Sequence, residues 1–341
     1  MPSFIETHLG NKLVMGILSL SIASLALPSY LLPSLGQNQT ATPNKPAQAW
    51  ETLQDQGIKA LNDEDLDLAE KLMTEAVKEA QKFGVTSEAM GVTLTNLGLV
   101  YSQRFKNDLA KDCFEKAIKA KEATFGPMDE SLIRTLKPYA RTLKELGKTK
   151  EVQAIQERIS KIEDNQVKVL QNKGDYSALL HLSVTSVREG QSDKAEKYAT
   201  SAYETSKKAD KDAQIFCLNT LSQLQLTNKH YDQALTNFKT LIQFYKETPK
   251  HSSFDEGNTY LGLSSLCLEQ GNMVAGKQAL GIAKAIIDKD KPADKQQERN
   301  HQLLLSRYYA NQSTICLKEG RIGESKNLDK LSQQAFEKSQ K

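Results

Sequence analysis

Residues 94–117 read LTNLGLVYSQRFKNDLAKDCFEKA. Leu94, Leu97 and Tyr101 recur at helical spacing around Gly98, and Ala110, Phe114 and Ala117 do the same beyond a Lys106-Asn107-Asp108 turn. This pattern predicts two short amphipathic helices joined by a tight turn. Gly98 and Ala110 are small and twelve residues apart. Small residues at that spacing let two antiparallel helices approach closely where they cross.

The same arrangement recurs along the chain. Small residues stand inside short apolar stretches at Gly57, Gly98, Ala140, Ser183, Ser222, Ser264 and Ser313, with gaps of 41, 42, 43, 39, 42 and 49 residues. A second position follows each by twelve residues, at Ala69, Ala110, Val152, Ala195, Ala234, Gly276 and Ser325. All but Val152 are small. A unit of about 42 residues, repeated seven times, is the signature of a solenoid of helix pairs. The longer connections repeat as well, since Phe83-Gly84 and Phe125-Gly126 each precede the next anchor by fourteen residues, counted at the Gly.

Composition agrees. The chain has 341 residues, 26% of them charged and only 6% aromatic, with few Gly and Pro and much Ala, Leu, Lys, Glu and Gln. Such a mixture favours helices over strands. Forty-five basic residues against 42 acidic ones leave a net charge of +3, which gives no basis for wrapping nucleic acid. Cys113, Cys217, Cys267 and Cys316 lie too far apart for a zinc cluster or a disulfide framework. They read as small apolar residues on buried faces. Cys267 and Cys316 occupy equivalent places in adjacent repeats, so they are the one pair worth testing for a bridge.

On these residues the chain resembles the tetratricopeptide family, whose pattern runs W-x2-L-G-x2-Y, then A-x3-F and A-x3-P. Leu97-Gly98-x2-Tyr101 and Ala110-x3-Phe114-x2-Ala117 match it closely; Ala69-x3-Met73-x2-Ala76 and Ala234-x3-Phe238-x2-Leu241 match more loosely. The unit of about 42 residues and the Phe125-Gly126-Pro127 connection are similar to the long repeats of kinesin light chains. The resemblance spans about residues 50–341 and implies an all-α, α-α superhelix of about seven antiparallel helix pairs. It weakens at repeat three, where Val152 and Gln156 replace smaller or more apolar residues and Pro138 falls in the first helix. It weakens again before repeat seven, at Asp288-Lys289-Asp290-Lys291-Pro292. The polar stretch from Arg321 to Lys341 suits a terminal cap.

Residues 13–35, LVMGILSLSIASLALPSYLLPSL, carry no charge and follow Lys12. They read as an export signal ending near Gly36 or, alternatively, as an uncleaved membrane anchor interrupted by Pro28 and Pro33. The chain therefore divides into residues 1–36 as signal or anchor, 37–48 as a flexible spacer and 49–341 as the repeat domain. The expected location is the periplasm, cell envelope or exterior.

No phosphate-binding glycine motif, HExxH pair or nucleophile elbow is present, and the five histidines are scattered over the chain. The expectation is a non-enzymatic chain without cofactor or metal, whose partner is a protein or peptide. Tetratricopeptide arrays use Asn residues just before the small anchor to hold the backbone of an extended peptide. The resemblance carries that role to Asn96 and, less closely, to Asn219 and Asn311. Arg134, Lys137, Arg141, Lys144 and Lys148 step by three or four, so they fall within an arc of about 80° on the first helix of repeat three. This stripe could clamp acidic groups of a partner or be a solvated surface. The alternative to peptide reading is a structural subunit packed on one fixed partner, which would expose a continuous apolar patch.

Overall fold

The computed structural model describes residues 45–248 and 251–341, the side chains of residues 45–48 excepted. The export segment at 13–35 and most of the spacer lie outside the described residues. Fourteen α-helices and no strand occur among those described, and the helices form seven consecutive pairs. They are α1 (Lys45–Asn62) with α2 (Leu66–Ala80), α3 (Glu88–Gln103) with α4 (Asn107–Phe125), and α5 (Ile133–Glu145) with α6 (Thr149–Lys173). Next come α7 (Tyr176–Arg188) with α8 (Ser192–Ser206) and α9 (Lys211–Thr227) with α10 (Tyr231–Glu247). The last are α11 (Ser253–Glu269) with α12 (Met273–Lys289) and α13 (Lys295–Lys318) with α14 (Ile322–Ser339). Helix α1 begins at Lys45, inside the stretch expected to be spacer; a proline in a first turn removes no helical hydrogen bond.

Local chemistry starts the helices. Side chains of Asp65, Ser87, Asp175, Asp210, Ser252, Asn272 and Asp294 each accept from an amide three residues on, satisfying a donor that the first turn leaves unpaired. The turn inside each pair is stereotyped. The seventh residue after each anchor has a left-handed backbone: Glu64, Phe105, Gly147, Gly190, Lys229, Gly271 and Gly320, with φ between 57° and 79°. The next amide then reaches back to the carbonyl three residues after the anchor, from Asp65 to Ala60 through Arg321 to Cys316, at 2.8–2.9 Å in all seven pairs. This is the 6→1 bond of a Schellman helix end. The same bond also closes the turn between α6 and α7, from Asp175 to Leu170 at 3.0 Å with Gly174 at φ 70°, so it marks the register within each pair but is not confined to the pairs.

The anchors act at the helix crossings. A Cβ at Gly98 would stand 2.7 Å from Phe114, and one at Gly57 would stand 2.7 Å from Met73. The large residue four after each second small position thus fills the space that the anchor glycine leaves. At three of the four serine anchors a hydrogen bond to the partner helix is added, whereas Ser222 Oγ donates to Leu218 of its own helix at 2.6 Å. Ser183 Oγ donates to the Ala195 carbonyl at 2.8 Å, Ser264 Oγ to Gly276 at 2.9 Å, and Ser313 Oγ to Ser325 at 3.2 Å. The twelve-residue spacing therefore places a hydroxyl against the partner helix's backbone as well as allowing close approach.

The chain forms two compact units, divided between Val169 and Leu170 within α6. In the N-terminal unit one core gathers Met73, Met90, Leu94 and Leu97, and another gathers Phe114, Leu132, Leu136, Tyr139 and Ile162. In the C-terminal unit Leu218, Phe238, Leu241 and Tyr245 form one core, and Leu261, Leu280, Ile287 and Leu304 another. Repeat three is irregular, as its sequence suggests. The close backbone approach of the other pairs is missing between α5 and α6, because Val152 occupies the place of a small residue. Pro138 lies well inside α5 rather than at its start, after a short 3-10 turn over Glu130–Leu132, and leaves the Arg134 carbonyl without its helical donor. The charged segment after Lys289 breaks the helix, as expected, and α13 begins beyond it. All four cysteines are buried and free, so Cys267 and Cys316 are not bridged.

Candidate functional site: the first-helix face

In each pair, positions six and two residues before the anchor and one after it lie on one side of the first helix. In the N-terminal unit these are Glu51, Asp55 and Ile58 on α1, Val92, Asn96 and Leu99 on α3, and Arg134, Pro138 and Arg141 on α5. Neighbouring first helices are laced along this face by polar groups. Trp50 Nε1 donates to Thr93 Oγ1 at 2.7 Å, and Gln54 Nε2 donates to the same oxygen. Thr95 and Thr135 share a hydroxyl hydrogen bond of 2.8 Å, and Thr142 reaches Ser102 at 3.4 Å. Trp50 itself is half-buried at the start of the described chain, edge-on to Phe83.

The three Asn residues belong to this lacing. Asn96 is half-buried, and its Nδ2 donates to Gln54 Oε1 at 2.9 Å. Asn219 is 3% exposed; it donates to the Asp255 carbonyl at 3.2 Å and accepts from Asn258 at 3.2 Å. Asn311 is 5% exposed; it donates to the Leu261 carbonyl at 2.8 Å and accepts from Ser265 at 2.8 Å. Asn219 and Asn311 thus hold the backbone of the adjacent first helix of this chain.

The basic stripe is differently placed. Arg134, Lys137, Arg141 and Lys144 are all exposed on α5, and Lys148 pairs with Glu151 at 3.1 Å. Arg134, Arg141 and Lys144 make no ion pair among the described residues. Positive charge also accumulates beneath them. Lys121, 5% exposed, donates to the Ser131 carbonyl at 3.0 Å. Burial first, and the Arg134 guanidinium second, pull its ammonium below the usual lysine range.

In the C-terminal unit the face is closed. Helix α9 is buried on nearly every side, with Asn219, Thr220, Gln223 and Gln225 among its covered residues. Arg307, on α13 six residues before its anchor, is 3% exposed and donates from Nη2 to Gln223 Oε1 at 2.8 Å. It stands in the register of Arg134. An alignment of the repeats by anchor could have singled it out, but its burial has no local sequence signal. Among the described residues no group of His, Cys, Asp and Glu is placed to hold a metal ion, and no helix is long and apolar enough to cross a membrane.

Each unit is built of consecutive helix pairs, and the first-helix face of the N-terminal unit is polar and partly basic. Residues 93–124 match the model of the tetratricopeptide repeat, which covers α4 almost entirely and much of α3. No curated protein matches the chain. Among solved structures it is similar to a tetratricopeptide repeat protein from Parabacteroides merdae, at 16% identity over 86% of this chain and 100% of that one, with a TM-score of 0.33. It is also similar to a putative kinesin light chain with TPR-like repeats from Podosopora anserina, at 13% identity over 61% and 100% of the two chains, with a TM-score of 0.35. A third is the Rap conjugation gene regulator of plasmid pLS20 in complex with the Phr* peptide, at 14% identity over 91% and 80%, with a TM-score of 0.36. Likeness at this level defines no partner for this chain.

Proposed function

We propose that the chain is a non-enzymatic scaffold that docks an extended segment of a partner polypeptide on the first-helix face of its N-terminal unit. The observation that carries this reading is the set of exposed, internally unpaired cations Arg134, Arg141 and Lys144 on α5. A stripe neutralised by its own helix neighbours would have nothing left to offer a partner; these three cations are not neutralised in that way. The equivalent register on α1 carries the exposed acids Glu51 and Asp55, and α3 between them carries Val92 and Leu99. A complementary segment is acidic where it crosses α5, apolar over α3 and basic over α1. Asn96 supports the seam between α1 and α3.

Charge reversal tests the reading. The double variant Arg134→Glu, Arg141→Glu is expected to weaken capture of a co-purifying partner by at least about tenfold, with a steeper loss at low salt. Unchanged affinity would assign the stripe to solvation alone.

A second reading rests on Phe105. It is 85% exposed and held at φ 57° in the α3–α4 turn, with Leu109 half exposed nearby in sequence. Packing of these side chains on one fixed partner is the structural-subunit alternative, and Phe105→Ser would then abolish association where the α5 reversal leaves it intact. Export through residues 13–35 remains part of the proposal, to be checked by N-terminal sequencing of the mature chain.

A further inference from the structure

The Phe-Gly connections that recur in the sequence take no part in the first-helix face. Gly84 and Gly126, in the connections that follow α2 and α4, have almost the same backbone, at φ 101°, ψ 151° and φ 92°, ψ 164°. An L side chain adopts that conformation poorly, so glycine is needed at both places. Beside each glycine stand apolar residues that the core leaves outside. Val85 is 72% exposed, and Phe83, Phe125 and Met128 are exposed as well. Thr124 Oγ1 donates to the Thr86 carbonyl at 2.7 Å, so the two connections lie side by side. Their four apolar residues share one edge of the N-terminal unit.

The carboxylates nearest them are bound within the chain. Glu79 pairs with Lys82 and Glu122 with Arg158, Glu130 accepts from Gln166, and Asp129 accepts from the Ser131 amide at 2.9 Å. The same edge receives the chain. Trp50, in the second turn of α1, is edge-on to Phe83 with ring centroids 6.2 Å apart. Residues 36–44, which separate the uncharged run at 13–35 from Lys45, reach about 35 Å at most when fully extended. Wherever residues 13–35 are held, this edge is therefore held near them. The opposite edge, with Phe105 in the α3–α4 turn, lies a helix length away, about 24 Å along α3.

We propose that the edge formed by Phe83, Val85, Phe125 and Met128 rests on the surface of a lipid bilayer. The inference rests on residues 13–35 staying attached as an anchor. Exposed aromatic and aliphatic side chains whose neighbouring charges are already paired suit the boundary between headgroups and acyl chains. Four side chains are a small patch, and the short tether supplies the high local concentration that such a patch needs. Docked in this way, the unit turns its Phe105 edge away from the membrane.

The test uses the full chain in phosphatidylcholine vesicles isolated by flotation, with and without bromine on the acyl chains. Trp50 is the only tryptophan. Trp50→Phe therefore removes the background emission, and Val85→Trp or Phe105→Trp then places a single reporter on one edge or the other. Bromine is expected to quench emission at 85 at least about twofold more than at 105. Adding Phe125→Ser and Met128→Ser to the reporter at 85 should remove the difference. Trp50 in the unsubstituted chain, beside Phe83, should be quenched as well. Equal quenching at 85 and 105, or a difference that survives the serine substitutions, would overturn the inference. A blue-shifted but unquenched emission at 85 would overturn it too, and would give the edge to a second copy of the chain. Chains that float without any quenching refute the docked edge alone and leave the anchor standing. Chains that fail to float refute the anchor, and the inference with it.

Discussion

Gly98 concentrates the logic of the fold in one residue. A glycine inside a helix costs up to about 1 kcal/mol relative to alanine, so alanine would ordinarily stabilise α3. Here the added methyl meets Phe114 at 2.7–3.0 Å on three ring atoms, and Phe114 is fully buried. Overpacking of a filled core costs about 1–3 kcal/mol, so the clash wins. Gly98→Ala is expected to destabilise the chain by about 1–2 kcal/mol in urea unfolding, and adding Phe114→Leu to recover part of the loss. A stabilised single variant would show that the crossing has slack. The need for a small residue at 98 was legible from spacing. What size alone does not reveal is that the serine anchors at 183, 264 and 313 also donate to the facing carbonyl. Nor does it tell whether an Asn on a first helix faces a groove or the neighbouring helix. Both directions suit the same helical register, and packing sends Asn219 and Asn311 inward.

At the scale of the element, the seven turns make a natural comparison. Gly147, Gly190, Gly271 and Gly320 take the left-handed position without a Cβ penalty, whereas Glu64, Phe105 and Lys229 bear it. Lys229→Gly is expected to stabilise the α9–α10 pair by about 0.5–1 kcal/mol, reduced by the greater freedom of glycine in the unfolded chain. Gly271→Ala should cost about 1 kcal/mol in the same denaturation assay; the opposite signs would remove the turn from the account of helix ending. The glycine turns could be read from the sequence. Those at Glu64, Phe105 and Lys229 had no glycine to mark the left-handed residue, since the Schellman bond and the packed pair impose the conformation from outside. Helix α6 shows the same override. Val152 announces a looser pair, but its continuation as one helix to Lys173 has no counterpart in the earlier repeats.

At the scale of the molecule, the division between Val169 and Leu170 separates cores that share no residue. Repeat arrays owe stability to each pair and its nearest neighbours, so damage stays local. In Gly98→Ala, amide hydrogen exchange is expected to quicken within residues 45–169 and to hardly change from 176 to 341. Equal loss of protection throughout would mean that the two units unfold as one. Periodicity by itself determined that the chain is all-α, that its unit is near 42 residues and that it holds seven pairs. Those properties follow from which residues are small or apolar, and a helix encodes them within a few turns. Only the tertiary structure decided which polar residues of the first helices are spent within the chain and which stay exposed. Arg134 and Arg307 occupy the same register, yet one is exposed and the other buried against Gln223, 84 residues away. That difference arises from how neighbouring helices close over each position, a relation between distant segments that no local pattern records.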